Sequence, residues 1–308
     1  MVENSTIIVI VNYKGWKDTI ECLESVFKLI SICGHQVFVV DNSPVGDVSF
    51  SKISDWANEN LQIEDSALPH LVFPQVEKPV SFKAFSQEDF EQQLVYKENL
   101  ILIRANENNG FAAANNIVIN KILENKIIFQ NIWLLNNDTL VDPNALIFLE
   151  ESVKGEKDPV VRGSLMYDAT PPFKIQSVGA KFNPKKCSTT NIVSKEYIID
   201  NGKIDYVSGA SFFVNSNFLK IAGKIPEEYF LYYEELSWIK KANCKDIKTI
   251  LESIVYHKGG GSTKVDSKAS MFSEYYAVRN KLAFTKANYP NYYVLVAFRV
   301  FFLAIRRF

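Results

Sequence analysis

The chain has no glycine-rich GxGxxG turn after its first apolar run, no CxxC pair and no long run of Lys or Arg before its extreme end. It also has no apolar run of the ~20 residues that cross a bilayer. The missing GxGxxG argues against a dinucleotide-binding dehydrogenase. The four cysteines, Cys22, Cys33, Cys187 and Cys244, are scattered, so reduced thiols in a cytosolic protein are expected. With a formal net charge of −1 and no basic block, a broad nucleic-acid surface is excluded and no nucleic-acid partner is expected. Met1 leads almost directly into Thr6–Val11, without a basic n-region or a small-residue cleavage site. That run is strand-like and too short for a signal core. The remainder is ordinary globular composition, 47% hydrophobic over 308 residues, enough for a large core in one domain or two closely packed ones.

What the chain does have is a sequence of short apolar runs that end in amides and carboxylates. The most informative is Asn131-Ile132-Trp133-Leu134-Leu135-Asn136-Asn137-Asp138-Thr139. A buried strand of a parallel sheet reads this way, and ligands of open α/β sheets sit at the carboxyl ends of such strands. Spacing alone also allows Asn137 and Asp138 to be turn residues ahead of a helix starting at Pro143. Thr6–Val11 reads as a central strand closed by Asn12-Tyr13-Lys14-Gly15. Trp16, Ile20, Leu23, Phe27 and Ile30 fall on one helical stripe, with Asp18 and Glu21 near its start. Val37–Val40 is a second strand ending in Asp41-Asn42, which makes a βαβ crossover. Residues 43–98, punctuated by prolines, are expected to hold small elements: a short helix anchored by Trp56 and an extra hairpin.

Asn99–Arg104 reads as a third strand, Glu107–Phe111 as a turn, and Ala112–Leu123 as a helix carrying Asn115 and Asn116 in its first turns. Those amides are poor helix formers there, so they are either tolerated or face an anionic ligand. Beyond Val160 short apolar pieces (160–167, 173–182, 192–199, 206–214) look like antiparallel strands and hairpins. A helix follows Tyr229-Phe230-Leu231-Tyr232-Tyr233-Glu234-Glu235, a strand spans Thr249–Tyr256, and His257-Lys258-Gly259-Gly260-Gly261-Ser262 reads as a mobile loop. The first half is thus alternating α/β and the second mixed. By spacing alone, Glu234 and Glu235 are ordinary first-turn acids, favoured by up to ~1 kcal/mol through the helix dipole, and His257 is a polar loop residue.

Taken in order, these motifs resemble the family 2 inverting glycosyltransferases of the GT-A fold, within them the rhamnosyltransferase-like group. The resemblance runs from Thr6 to about Tyr289, interrupted by residues 43–98. It is carried by Ile8–Tyr13, Val39–Asn42, Asn108-Asn109-Gly110-Phe111-Ala112 through Asn116, Leu134–Asp138, Ser208-Gly209-Ala210-Ser211, Tyr232–Trp238 and His257–Ser262. It implies a mostly parallel central sheet with helices on both faces and an antiparallel acceptor-side addition, forming one domain over residues 1–290. Donor contacts are implied for Asn12, Tyr13, Asp41, Asn108, Gly110, Asn115, Asn116, Asn136, Asn137, Gly209 and Ala210. Metal ligation by Asp138 and His257 follows, with Glu235 as catalytic base beside Glu234. Two departures stand out: Asn136 occupies the place where many members have the first Asp of Asp-x-Asp, and in the base-bearing segment Glu235 stands where many have Asp, with a longer arm that alters its reach, and Ser237 where an acid is common.

The implied reaction moves a sugar from a nucleoside diphosphate sugar to a hydroxyl of a glycan or lipid-linked glycan, as in bacterial surface polysaccharide synthesis. A divalent cation, Mn²⁺ or Mg²⁺, would offset the charge of the leaving diphosphate, and a histidine ligand tilts the choice to Mn²⁺. Arg279 and Lys281 are placed to reach the diphosphate or an anionic acceptor. The aromatics from Tyr229 to Tyr233 either wall a sugar or belong to the core. Residues 291–308 are apolar with Arg299, Arg306 and Arg307, an interfacial helix for the cytoplasmic face of the inner membrane or a helix packed on the domain with snorkelling arginines. Two rival readings stay open: a sugar-phosphate nucleotidyltransferase, whose glycine-rich basic loop after the first strand is missing here, and a degenerate sugar-nucleotide-binding protein. A homodimer is compatible with the sequence but not specified by it.

Overall fold

The computed structural model describes residues 5–124, 127, 129–259, 264–265, 268–269 and 271–305. In chain order, β1 (Thr6–Asn12), α1 (Trp16–Val26) and β2 (His35–Asp41) open the fold. α2 (Ser49–Ala57), α3 (Pro69–Val72), β3 (Phe82–Ser86) and α4 (Gln87–Gln92) follow. Then come β4 (Leu100–Arg104), α5 (Gly110–Leu123), β5 (Asn131–Asn136), β6 (Thr139–Val141) and α6 (Ala145–Glu151). The second half holds β7 (Val160–Asp168), β8 (Ile175–Ser177), β9 (Ala180–Asn183), β10 (Ser188–Asn191), α7 (Lys195–Ile199), β11 (Ser211–Asn215) and α8 (Ser216–Ala222). α9 (Glu234–Lys241), β12 (Asp246–His257), α10 (Met271–Asn288) and α11 (Tyr293–Ile305) complete it.

Nine strands run in the order β3-β4-β2-β1-β5-β11-β7-β12-β6, with β8 paired to β7. The block from β3 to β5 is parallel throughout. β11 then enters antiparallel to both β5 and β7. The β-branched run of β1 is buried on both faces: Ile7 and Val9 pack into one core with α5, α8 and α9, while Ile8 and Ile10 pack into another with α1, α2 and α6. This period of two is what a strand sandwiched between helix layers requires. The carboxyl ends of β1, β2, β4 and β5 therefore open on one edge of the molecule, where the parallel block meets the mixed one.

Several local expectations are corrected. α1 ends at Val26, so Ile30 lies outside it and is 49% exposed. Pro143 does not start a helix; it sits in a turn where Asp142 Oδ1 accepts from the Asn144 amide, and α6 begins at Ala145. Residues 195–199 are helical rather than extended, because the Ser194 hydroxyl caps the Tyr197 amide. β7 pairs antiparallel with β8 and β11, as its segment led one to expect, and parallel with β12. Residues 43–98 form no hairpin: β3 adds a parallel edge strand beside β4. Trp56 is fully buried in α2, as expected, and its indole N–H donates to Glu24 at 2.8 Å. Lys78 pairs with the same carboxylate at 2.9 Å and lies 4.3 Å from the Trp56 ring centre. A buried charge pair of this kind holds the insertion to α1, since removing either partner would strand the other in the core.

Candidate active site

Six motifs that are far apart in sequence touch one another in a closed circuit. Asn12, fully buried at the end of β1, donates to Asp41 Oδ1 at the end of β2 (2.7 Å). Asn42 donates to Asn108 Oδ1 (2.7 Å), which also accepts the Gly110 amide (3.1 Å). The Phe111 amide donates to the Phe230 carbonyl. Four residues on, α9 begins with Glu234 and Glu235, and the Glu235 carboxyl lies so close to Gly209 that a β-carbon there would sit 1.9 Å from Oε1. Ala210 O accepts the Asn136 amide at the end of β5 (3.1 Å). The neighbouring Asn137 donates to the Thr19 hydroxyl (3.0 Å) and to Asn12 Oδ1 (3.4 Å), which closes the circuit. Asp41 and Glu235 stand on this circuit, and Asp138 directly follows Asn137.

Asp138 sits in the turn between β5 and β6, and His257 ends β12 directly opposite Thr139. The two side chains meet at 3.2 Å, His257 Nε2 to Asp138 Oδ1, each about 15% exposed or less. Burial pushes the Asp138 carboxyl up; when the His257 ring is protonated and donates from Nε2, that bond and charge, together with Lys258, more than offset burial and hold the group below the usual carboxylate range. Lys258 donates its backbone amide to the Asp138 carbonyl and its ammonium to Asp18 (2.6 Å) and Glu21 (2.7 Å). Asp18 and Glu21, legible in the sequence only as helix-start acids, thus anchor the strand that carries His257.

The other ring nitrogen, Nδ1, lies 2.7 Å from Gln176 Oε1. A ring whose Nδ1 carries the proton presents a bare lone pair at Nε2. Two acceptors, that lone pair and a carboxylate oxygen, do not attract at 3.2 Å unless a proton or a cation lies between them. The donor set of one imidazole nitrogen and one carboxylate suits Mn²⁺ or Mg²⁺. Among the described residues no group of three or more His, Cys, Asp or Glu side chains is arranged to hold a metal ion.

The acidic pair is unusual in its backbone. Phe230, Tyr232 and Tyr233 all have positive φ (65°, 69° and 75°), a conformation that costs roughly 1–2 kcal/mol per non-glycine residue. The loop is held by the fully buried Asn280 of α10, whose amide donates to the carbonyls of Tyr229 (2.7 Å), Leu231 (2.6 Å) and Tyr232 (3.2 Å). α9 therefore starts abruptly and delivers two carboxylates in its first turn. Glu234 is 2% exposed and its Oε2 is buried without a hydrogen-bond partner. Burial first, then the charge of Glu235, pushes the Glu234 carboxyl well up. Glu235 is half-buried, and burial raises it as well. Neighbouring acids in unequal surroundings divide proton-holding from proton-accepting.

The remaining expected site residues are spread between lining and scaffolding. Tyr13 and Asn108 are exposed on the perimeter, and Asn136 and Asn137 are half-buried there. Gly110, at φ +92°, allows the Phe230 backbone to approach; a β-carbon would lie 2.5 Å from its carbonyl oxygen. Asn116 does not face a ligand: it is buried, donates to the Ile225 carbonyl and Glu227, and accepts the Ile225 amide. Asn115 donates to Phe111 O, and its Oδ1 is buried without a partner. Arg279 is exposed and donates to Asn280 Oδ1 (2.8 Å). Tyr229 belongs to the core with Phe284 and Val296, with Tyr233 packed beside it, which leaves Tyr232, 37% exposed, as the aromatic open to solvent. The mobile-loop expectation for residues 260–262 lies outside the described residues. Sequence reasoning missed Thr19, Gln176, Lys258 and Asn280. Of these only Lys258 had a signal, its place in the His-Gly-rich segment.

No protein-family model matches the chain, and no curated protein matches it either. Solved structures do. GalNAc-T7, crystallised with UDP, GalNAc and Mn²⁺, is similar over 83% of this chain and 44% of its own, at 12% identity and a TM-score of 0.53. The mannosyltransferase PcManGT from Pyrobaculum calidifontis, in complex with GDP-Man and Mn²⁺, is similar over 93% and 65%, at 11% identity and TM-score 0.54. S. aureus TarS 1–349 with UDP-GlcNAc is similar over 91% and 66%, at 14% and 0.52. The chain spans less than two thirds of each of these proteins. The fold they share with it is the GT-A fold, as the sequence motifs implied.

Proposed function

We propose that the chain is an inverting glycosyltransferase that moves a sugar from a nucleoside diphosphate sugar to a hydroxyl of a glycan or lipid-linked glycan. The observation that carries this reading is the contact circuit, which sets the Glu235 carboxyl against Gly209 while the adjoining Ala210 is bonded to Asn136, the last residue of the strand that leads into the Asp138 turn. Asp138 and His257 would hold a divalent cation, Mn²⁺ or Mg²⁺, which supplies Lewis-acid stabilisation to the departing diphosphate. Two protein ligands leave its other positions to donor oxygens, a usual arrangement for Mg²⁺ with phosphates. On the opposite side, Glu235 accepts the acceptor's hydroxyl proton as that oxygen bonds to the anomeric carbon. The bond from that carbon to the diphosphate breaks, its electron pair leaves with the diphosphate, and the configuration inverts. Glu234, kept neutral by its surroundings, leaves Glu235 as the ionised partner.

The motif order favours family 2 and its rhamnosyltransferase-like group, with deoxythymidine diphosphate rhamnose the first donor to try and bacterial surface polysaccharide the setting. The test is a screen of sugar nucleotides with Mn²⁺ and Mg²⁺, scored by nucleotide release and product formation. Glu235→Gln abolishes transfer and retains nucleotide binding, and Asp138→Ala removes activity together with its metal dependence. Unchanged turnover in Glu235→Gln would sink the assignment. Pyrophosphate release from a nucleoside triphosphate would instead identify a nucleotidyltransferase. Tight nucleotide binding without turnover would identify a degenerate binder.

We also propose that α11 lies on an anionic membrane surface, the cytoplasmic inner leaflet. Val296 is buried and Val300 packs beside it on the domain, and Arg299 donates to the Lys185 carbonyl. Val294, Phe298 and Phe301 are 79%, 61% and 59% exposed. No helix among the described residues is long and apolar enough to cross a membrane. From residue 275 to 308 the sequence has no acidic residue and has Arg279, Lys281, Lys286, Arg299, Arg306 and Arg307, which complements anionic lipid; Arg306 and Arg307 lie outside the described residues. Flotation with phosphatidylglycerol vesicles, lost in Phe298→Ser/Phe301→Ser, supports the reading. A stable dimer in solution with no vesicle binding gives that face to a second copy.

A further inference from the structure

We infer that Gln176 and Asp168 are positioning residues that fix the tautomer of His257, and thereby make its Nε2 a ligand. This rests on the metal-binding reading of Asp138 and His257. Gln176 lies on β8, and Asp168, at the end of β7, is the cross-strand partner of His257. The Gln176 Nε2 group faces two acceptors, Asp168 Oδ1 at 3.1 Å and the His257 carbonyl at 3.5 Å. A carboxylate and a carbonyl accept and do not donate, so together they fix which way round the amide sits. Oε1 is consequently the atom turned to His257 Nδ1, at 2.7 Å. An amide oxygen only accepts, so Nδ1 carries the hydrogen and Nε2 keeps its lone pair, aimed at Asp138 Oδ1.

Without this relay the neutral ring would prefer the opposite tautomer. It would place a hydrogen on Nε2, donate it to Asp138 and so tie up both atoms of the donor set. Gly259, at φ +74°, turns the chain away here, and a β-carbon on it would approach Gln176 Nε2 and the His257 ring at 3.4 and 3.8 Å. Outer partners of this kind typically change metal affinity by about 10- to 100-fold.

The first test needs no metal. The full-length chain is labelled with ¹⁵N-histidine, and long-range ¹H–¹⁵N correlation, at a pH where the ring is neutral, reads which nitrogen of His257 is protonated. His257→Gln assigns the signal among the three histidines. A wild-type ring protonated at Nδ1 is expected; protonation at Nε2 would overturn the proposal. Gln176→Met keeps the bulk and removes the acceptor. It should move the proton to Nε2 and weaken Mn²⁺ binding, followed by the paramagnetic resonance of free Mn²⁺, by about 10- to 100-fold. An unmoved tautomer, or a moved tautomer with unchanged Mn²⁺ affinity, overturns it. Failure of the metal reading itself shows separately, as a wild-type protein that takes up no Mn²⁺.

Discussion

Gly209→Ala is the sharpest perturbation of the proposed acceptor side. The backbone of Gly209 has an ordinary φ, so alanine is tolerated there without strain, and the three nearest atoms its methyl group would meet all belong to the Glu235 side chain. Oε1 would lie 1.9 Å from the new carbon, so the carboxyl must retreat by about 1.5 Å to reach ordinary contact at 3.4 Å. Retreat of a flexible side-chain end costs the fold little, and alanine for glycine at a compatible site adds about 0.4–1 kcal/mol through the unfolded chain. The melting temperature should thus hold or rise slightly. Catalysis is a different matter. Misplacing a reacting group by 1 Å can cost about 10²-fold, so kcat should fall by about two orders of magnitude, near 2.7 kcal/mol of barrier. Donor binding, measured by calorimetry with the nucleoside diphosphate, should change only a few-fold. A variant with near wild-type kcat, or one that loses nucleotide binding and turnover together, would refute the placement of the base.

Glu234→Gln should be stabilising, and increasingly so as pH rises. The folded-state pKa of Glu234 is raised by burial and by Glu235. Below the ordinary carboxylate range both folded and unfolded chains hold the proton. Above it the unfolded chain ionises and the folded one does not, so wild type loses about 1.4 kcal/mol per pH unit until the raised pKa is passed. The amide has no such dependence, and for a chain of 308 residues the gap should widen by about 2 °C per pH unit over the range that begins above the ordinary carboxylate pKa and closes at the raised one. A constant difference across that range would contradict the buried protonated acid. Asn116→Ala should destabilise by about 2–3 kcal/mol, since it leaves the Ile225 amide and carbonyl unpaired. Its nucleotide affinity should be unchanged; a large loss of nucleotide affinity with little loss of stability would restore it to the donor site.

Much of the parallel block was legible because its strands are buried on both faces and so read as unbroken apolar runs, each closed by polar residues. The ends of those runs named Asn12, Asp41, Asn136 and Asp138 directly. The mixed half was harder. Residues 192–199 are apolar enough for a strand, and the Ser194 cap turns Lys195–Ile199 into a helix. Gln176 and Asn280 could not be found, since a lone amide has no sequence signature and each acts through partners 81 and 48–51 residues away. Asn116 shows the opposite failure. Its motif was recognised, and its side chain is spent on holding the loop at Ile225.

Asn280 also bears on where this protein can be cut. The strained turn ahead of Glu234 hangs from a helix that lies after the last strand of the main sheet, and Val296 of α11 is buried beside Phe284 of that same helix. A truncation just short of the final helix would uncover Phe284 and loosen the strut from which the two carboxylates are suspended. Catalytic competence should therefore fail in such a fragment even where its nucleotide half stays folded, and the tail cannot be treated as a removable anchor.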